Sequence, residues 1–156
     1  MTDYAMLAKQ LEALAEEHPI WLSLLANASA LIKEALPDIN WAGFYLLDDG
    51  ALVLGPFQGK PACMRIEPGH GVCGTAFAEK RTIRVDNVHE FPGHIACDTA
   101  SNSEIVIPLG TEAFMIGVLD IDSPSLNRFT QADQEGLERL VRILQSHVML
   151  KGPSFF

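Results

Sequence analysis

The thiols are the residues of this chain best suited to chemistry. Cys63, Cys73 and Cys97 are the only cysteines among 156 residues, and all three fall within residues 55–103, a stretch rich in glycine, proline and histidine. The first 18 residues lack the basic segment, apolar run and small-residue cleavage site of an export signal, so a cytoplasmic protein is expected. A reducing compartment disfavours structural disulfides, which leaves core packing, metal binding or redox chemistry. Free cysteine packs readily in cores. Yet Cys63 follows Lys60-Pro-Ala, and Cys97 sits in Ala96-Cys97-Asp98-Thr99, both polar and flexible settings. A reactive thiol needs thiolate character and access. Cys97 has His94 three residues before it and Asp98 beside it, with Thr99, Ser101, Asn102 and Ser103 just after as small polar groups able to hold a thiolate. If the fold joins the two loops, one cysteine can attack and the other can resolve the resulting sulfenic acid as a disulfide. Cys73, between Val72 and Gly74 at an expected helix start, reads as a packing residue or an auxiliary thiol.

Two further groupings carry chemistry. Asp120 and Asp122 are two apart, so their carboxylates share one face of a strand that continues to residue 122. Glu104 opens a neighbouring strand. Asp122-Ser123-Pro124 also reads as a turn, but Asp120, between Ile116-Gly-Val-Leu119 and Ile121, has no such account. Clustered carboxylates repel, so one of them keeps its proton and can serve as a general acid. Alternatively they pair with a cationic ligand group such as an ammonium. Trp41 and Tyr45 share a face of the expected first strand; aromatics at that spacing are ordinarily core, and a paired aromatic wall also suits a sulfur-methyl group. Metal binding competes for the same residues. His18, His70, His89, His94 and His147 and the cysteines show no C-x-x-C or H-x-x-x-H spacing, so no structural zinc site is expected, although His89, His94 and Cys97 could converge. The run Gly69-His-Gly-Val-Cys-Gly74 lacks the Lys-Ser/Thr of a phosphate loop.

The elements that must position these residues follow from periodicity. Leu7, Leu11 and Leu14 predict a helix over 3–17, with His18-Pro19 as its stop. Leu24, Leu25, Ala28, Leu31, Ile32 and Ala35 predict a second over 20–36, ended by Pro37. The period then changes to two over 40–47, placing Trp41, Gly43, Tyr45 and Leu47 on one side and Ala42, Phe44 and Leu46 on the other. Asp48-Asp49-Gly50 signals a hairpin turn, so 51–57 should return antiparallel. A loop over 55–62, a strand at 64–66, a helix over 72–78 and a strand over 82–85 come next. A long loop over 86–103 precedes a hairpin of 104–109 with 114–121, and loops of that length inside domains are usually functional or disordered. Thr130 opens the last helix with Asp133 three residues on, a variant of the capping box, and Leu137, Leu140, Val141, Leu144 and Val148 form its apolar stripe. The pattern reads as α+β, with a mainly antiparallel sheet of five or six strands, helices packed on one face and the irregular loops over the other. A ligand would sit on the loop face.

Composition sets outer bounds. The length fits a single domain, residues 1–156, with a real core. A net charge of −9 without clustered Lys or Arg argues against nucleic acid. No apolar run approaches the roughly 20 residues of a membrane helix.

Several motifs together strongly resemble the free methionine-(R)-sulfoxide reductases, single-domain proteins of the GAF fold. They are Gly55-Pro-Phe-Gln-Gly-Lys-Pro-Ala-Cys63, Gly69-His-Gly-Val-Cys-Gly74, Gly93-His-Ile-Ala-Cys-Asp98 and Ser103-Glu-Ile-Val106. Asn40-Trp-Ala-Gly-Phe-Tyr45 and Gly117-Val-Leu-Asp-Ile-Asp-Ser123 extend the likeness over essentially the whole chain. The resemblance implies that Cys97 is the nucleophile, Cys63 its resolving partner, and Cys73 a thiol able to join disulfide exchange. It also implies that Trp41, Tyr45, Glu104, Asp120 and Asp122 line the substrate pocket. Thr99 stands where serine is common in the family, which keeps the hydroxyl.

The implied reaction follows. The sulfoxide's methyl lies against Trp41 and Tyr45 and its ammonium near the carboxylates. The Cys97 thiolate attacks sulfur while a protonated carboxyl, Glu104 or an aspartate, protonates the oxygen. Methionine leaves, Cys97 becomes a sulfenic acid, Cys63 condenses with it, and thioredoxin reduces the disulfide. No metal or organic cofactor is expected, and a homodimer through the first helices is a further implication. Two other readings use the same residues: a GAF-type small-molecule or redox sensor without turnover, and a structural domain with buried thiols, against which the polar settings of Cys63 and Cys97 speak.

Overall fold

The period-two segment that opens at Trp41 becomes a central strand of a six-stranded sheet. The computed structural model describes residues 1–17, 20–94 and 100–148. In chain order the elements are α1 (Tyr4–Glu17), α2 (Trp21–Ala35), β1 (Trp41–Asp48), β2 (Ala51–Gln58), β3 (Arg65–Ile66), α3 (Gly71–Glu79), β4 (Ile83–Val85), a 3-10 turn (Val88–Glu90), β5 (Ser103–Gly110), β6 (Met115–Ser123) and α4 (Gln131–Val148). The sheet order is β3-β2-β1-β6-β5-β4, with every neighbouring pair antiparallel. The expected α+β architecture is the observed one.

Strand alternation divides the core into two. Ala42, Phe44 and Leu46 of β1 join Ile105, Ile107 and Leu109 of β5 and Leu119 and Ile121 of β6 against α1, α2 and α4. The alternate residues, Trp41, Tyr45, Val106 and Val118, face α3 and the loops with Leu52 and Ile66. A shift of one residue in any of these strands would exchange the two faces, so the buried apolar sets lock the register. In α4 the predicted stripe residues Leu137, Leu140, Val141 and Leu144 are buried, while the Val148 side chain and the predicted stop at His18-Pro19 lie outside the described residues.

Local chemistry explains the connections. Asp49 and Gly50 both have positive φ, 47° and 78°, the two-residue turn whose twist matches a β hairpin. At the start of α4 the capping pair is reciprocal: the Asp133 N–H donates to Thr130 Oγ1 at 3.2 Å, and the Thr130 N–H to Asp133 Oδ2 at 2.9 Å. Asp133 also accepts from Tyr4 Oη at 2.6 Å and Arg128 Nη1 at 3.1 Å, which ties the start of α1 to the start of α4.

Three expectations need correction. β2 runs to Gln58, so residues 55–58 are strand and the loop bearing Cys63 is shorter than 55–62. The register shift opposite β1 between Gly43 and Tyr45 accommodates Pro56, whose missing N–H a bulge tolerates. β6 continues through Asp122 to Ser123, so Asp122 belongs to the strand and not to a turn. The stretch 86–103 holds a 3-10 turn, with the His89 N–H donating to Asn87 Oδ1 at 3.0 Å and Val88 buried, and it ends where β5 begins at Ser103.

Candidate active site

Two rows of residues cross the sheet on its loop face. Trp41 pairs with Asp122, Asp122 with Glu104, and Glu104 with Val85. One step along, Gly43 pairs with Asp120, Asp120 with Val106, and Val106 with Ile83. Sheet register therefore gathers the three predicted carboxylates beside Trp41 and Tyr45. Gly43 leaves the place beside Asp120 free of a side chain. A Cβ there would lie 2.3 Å from Phe57 Cβ. Phe57 instead packs against Trp41 with ring centroids 5.2 Å apart and planes at 15°, and Trp41 lies 6.0 Å from Tyr45 at 23°.

The aromatic wall also holds the Cys63 loop. Trp41 Nε1 donates to the Lys60 carbonyl at 3.1 Å, and Tyr45 Oη donates to the Cys63 carbonyl at 2.9 Å. Burial, with the nearby carboxylates adding to it, pushes the Tyr45 phenol up, so it remains a neutral donor. Cys63 is half-buried and disulfide-bonded.

From the opposite side α3 lowers Cys73 onto the carboxylates. Its Sγ–H donates to Glu104 Oε2 across 3.9 Å. Burial first, then the charges of Asp120 and Glu104, push the Cys73 thiol well up, so it stays protonated and is a poor nucleophile in this arrangement. Glu104 and Asp120 are each 6% exposed. Burial and the Asp122 charge raise Asp120 from 3.8 to about 8, and burial and Asp120 push Glu104 well above its ordinary value. The pair thus retains a proton at neutral pH, as crowding of carboxylates requires. One oxygen, Asp120 Oδ1, is buried with no hydrogen-bond partner among the described residues.

These groups enclose a cavity of about 50 Å³ lined by Trp41, Tyr45, Ala62, Ile66, His70, Val72, Cys73, His94, Ser101, Glu104, Asp120 and Asp122. Every predicted pocket residue is there. His70 and Ser101 are additions for which the sequence carried only context: His70 ends the turn before α3, and Ser101 accepts from Asn40 Nδ2 at 3.2 Å. His94, three residues before Cys97, also lines the cavity, and burial and then His89 push its pKa down, favouring neutral imidazole. Cys97 falls in 95–99, outside the described residues. Of the three residues that could have converged, His89, His94 and Cys97, the two histidines lie edge to face with centroids 6.3 Å apart.

A curled antiparallel sheet with helices behind it and a recess under α3 defines a GAF domain, and residues 22–147 match the GAF domain family model. The fold recurs at 18% identity and a TM-score of 0.84 in the GAF domain of a phosphoenolpyruvate-protein phosphotransferase from Coxiella burnetii, over 94% of this chain and 93% of that one, so fold alone assigns no chemistry. Closer relatives are specific. The free methionine-R-sulfoxide reductase of Escherichia coli is 58% identical over 142 residues, 91% of this chain and 86% of that protein. The fRMsr of Staphylococcus aureus in complex with substrate superposes with a TM-score of 0.89 at 50% identity, covering 94% of this chain and 96% of that one. The free methionine-R-sulfoxide reductase from Neisseria meningitidis in complex with its substrate gives 0.89 at 44%, covering 92% and 87%. The chain belongs to the free methionine-R-sulfoxide reductase family of GAF-domain proteins.

Proposed function

We propose that this chain acts as a single catalytic domain, residues 1–156, that reduces free L-methionine-(R)-sulfoxide to L-methionine. The observation that carries the reading is the joining of an aromatic wall, Trp41 and Tyr45, to a buried carboxylate cluster with an unsatisfied acceptor, Asp120 Oδ1. A sulfur-methyl group packs on the first. An ammonium satisfies the second, and a carboxyl that keeps its proton can deliver it to the sulfoxide oxygen.

In the proposed cycle the Cys97 thiolate attacks the sulfoxide sulfur, and Glu104 or one of the aspartates protonates the oxygen. Methionine departs, Cys97 is left as a sulfenic acid, and Cys63 condenses with it, expelling water and forming a disulfide that thioredoxin reduces. The disulfide-bonded state of Cys63 supports its role as a thiol that cycles. Cys73, protonated and hydrogen-bonded to Glu104, serves as an auxiliary thiol. No helix among the described residues is long and apolar enough to cross a membrane, in keeping with a cytoplasmic site of action, and a homodimer through α1 and α2 belongs to the same reading.

The test is methionine release from the separate (R) and (S) sulfoxide diastereomers with thioredoxin, thioredoxin reductase and NADPH. Sustained turnover of the (R) form alone is expected. Binding without release would leave a GAF sensor in its place.

A further inference from the structure

We propose that Cys73, Glu104 and Asp120 form a site for a borderline-soft divalent cation of the Zn2+ class, and that the ion and the amino-acid substrate exclude one another. One donor atom from each residue, Sγ of Cys73 and a carboxylate oxygen of Glu104 and of Asp120, lies within 4.8 Å of the other two. Around an ion bound at roughly 2.0–2.3 Å, tetrahedral donors stand about 3.5 Å apart, so the set closes on a metal by drawing in roughly 1 Å. All three side chains are buried, at 4%, 6% and 6% exposure, and come from three different elements, α3, β5 and β6.

The second observation is independent of the clustering. Asp120 lines the cavity, and its Oδ1 is buried without a hydrogen-bond partner among the described residues. An acceptor left so is costly, and a cation meets it directly. Three protein donors leave the fourth position of a tetrahedral ion to a water. One thiolate with two carboxylates selects Zn2+, Cd2+ or Co2+ over Mg2+ and Ca2+, which take all-oxygen shells. Binding releases the Cys73 proton and the proton shared by the carboxylates to solvent, with no change in oxidation state. Cys63, already disulfide-bonded, is not among the donors. The exclusion clause rests on the sulfoxide-reductase reading, because the ammonium and the metal would claim the same Asp120 oxygen; the metal site itself does not.

The experiment uses the full chain carrying Cys63→Ser and Cys97→Ser, so that Cys73 is the remaining thiol. It is titrated anaerobically with Co2+, reading the near-ultraviolet sulfur-to-cobalt charge-transfer band. Saturation at one equivalent is expected, with displacement by Zn2+. Adding Cys73→Ser should abolish the band, and Asp120→Asn or Glu104→Gln should weaken binding roughly 10-fold or more, with circular dichroism reporting that each variant is folded. No band at one equivalent, or unchanged affinity in both folded amide variants, overturns the site. Free methionine-(R)-sulfoxide should raise the apparent Kd for Co2+; undiminished cobalt binding at saturating sulfoxide overturns the exclusion, while turnover by metal-free wild-type protein tests the reductase reading separately.

Discussion

Glu104 and Asp122 face each other directly across the β5–β6 ladder, and Asp120 follows two residues along on the same face. Like charges placed opposite one another in a sheet are destabilising, and burial adds to the cost. In the proposed function the arrangement is a pocket held ready for positive charge, and it sets a measurable dependence of stability on pH.

Burial and Asp122 raise Asp120 from 3.8 to about 8. The unfolded chain loses this proton near 3.8, whereas the folded chain keeps it to about 8, so within that window stability falls as pH rises. Asp120→Asn should therefore change little near pH 4 and stabilise the ligand-free protein by on the order of a few kcal/mol near pH 9. Urea midpoints across that range, with the thiol redox state fixed, make the comparison. A wild-type-to-variant difference that is the same at every pH would refute it.

Activity should move the other way. Asp120→Asn and Glu104→Gln are each expected to lower kcat/KM by roughly 100-fold or more, the range for losing a general acid or a buried ionic contact. Near-normal kinetics in both would show these carboxyls to be structural.

The Tyr45 hydroxyl donates to the Cys63 carbonyl at 2.9 Å, a contact whose removal should tell substrate binding from disulfide formation. Tyr45→Phe keeps the ring proposed to face the substrate methyl and removes the tether on the Cys63 loop. A neutral hydrogen bond contributes about 1 kcal/mol, so the resolving step should slow roughly fivefold, while methionine release in the first turnover is nearly unchanged. Rapid-quench measurement of methionine against loss of free thiols distinguishes the two; equal slowing of both would place the hydroxyl in the chemical step.

Much of this was legible from residue order because it rests on local physics. Period-two alternation over 40–47 divided Trp41 and Tyr45 from Phe44, Asp49-Gly50 marked the hairpin, and spacing alone put Asp120 and Asp122 on one face. What stayed hidden depends on partners distant in sequence. Glu104 meets Asp122 only through β5–β6 register, and Cys73 reaches Glu104 only because α3 packs across β5, 31 residues away. The bulge opposite β1 that holds Pro56 carried no signal in the residue order, and His70 and Ser101 became pocket residues through loop packing that no periodicity records.

The thiols should separate by role. Cys97→Ser should lose even one turnover, because no sulfenic acid can form. Cys63→Ser should release about one methionine per enzyme and then stall or slow with thioredoxin, its proposed resolving thiol gone. A full single-turnover burst from Cys97→Ser would reverse the assignment.

The carboxylate cluster should also decide what the pocket refuses. An N-acetylated or peptide-bound sulfoxide has an uncharged amide where the free amino acid has an ammonium. Leaving a buried carboxylate without its partner costs on the order of 2–5 kcal/mol, which corresponds to discrimination of roughly 10²–10³-fold or more before any steric clash. In the proposed pose the methyl meets Trp41 and Tyr45 while the polar groups meet Glu104, Asp120 and Asp122, which would set handedness at sulfur as well. Exchanging oxygen and methyl would turn the polar group toward the aromatic rings and the methyl toward the acids. Strong activity on free methionine-(R)-sulfoxide is therefore expected, with little on the (S) form, N-acetyl-methionine sulfoxide or an oxidised peptide, compared side by side under one reductant. Comparable rates on the N-acetylated compound would eliminate ammonium recognition by Asp120 and its neighbours even if the cysteine chemistry survived.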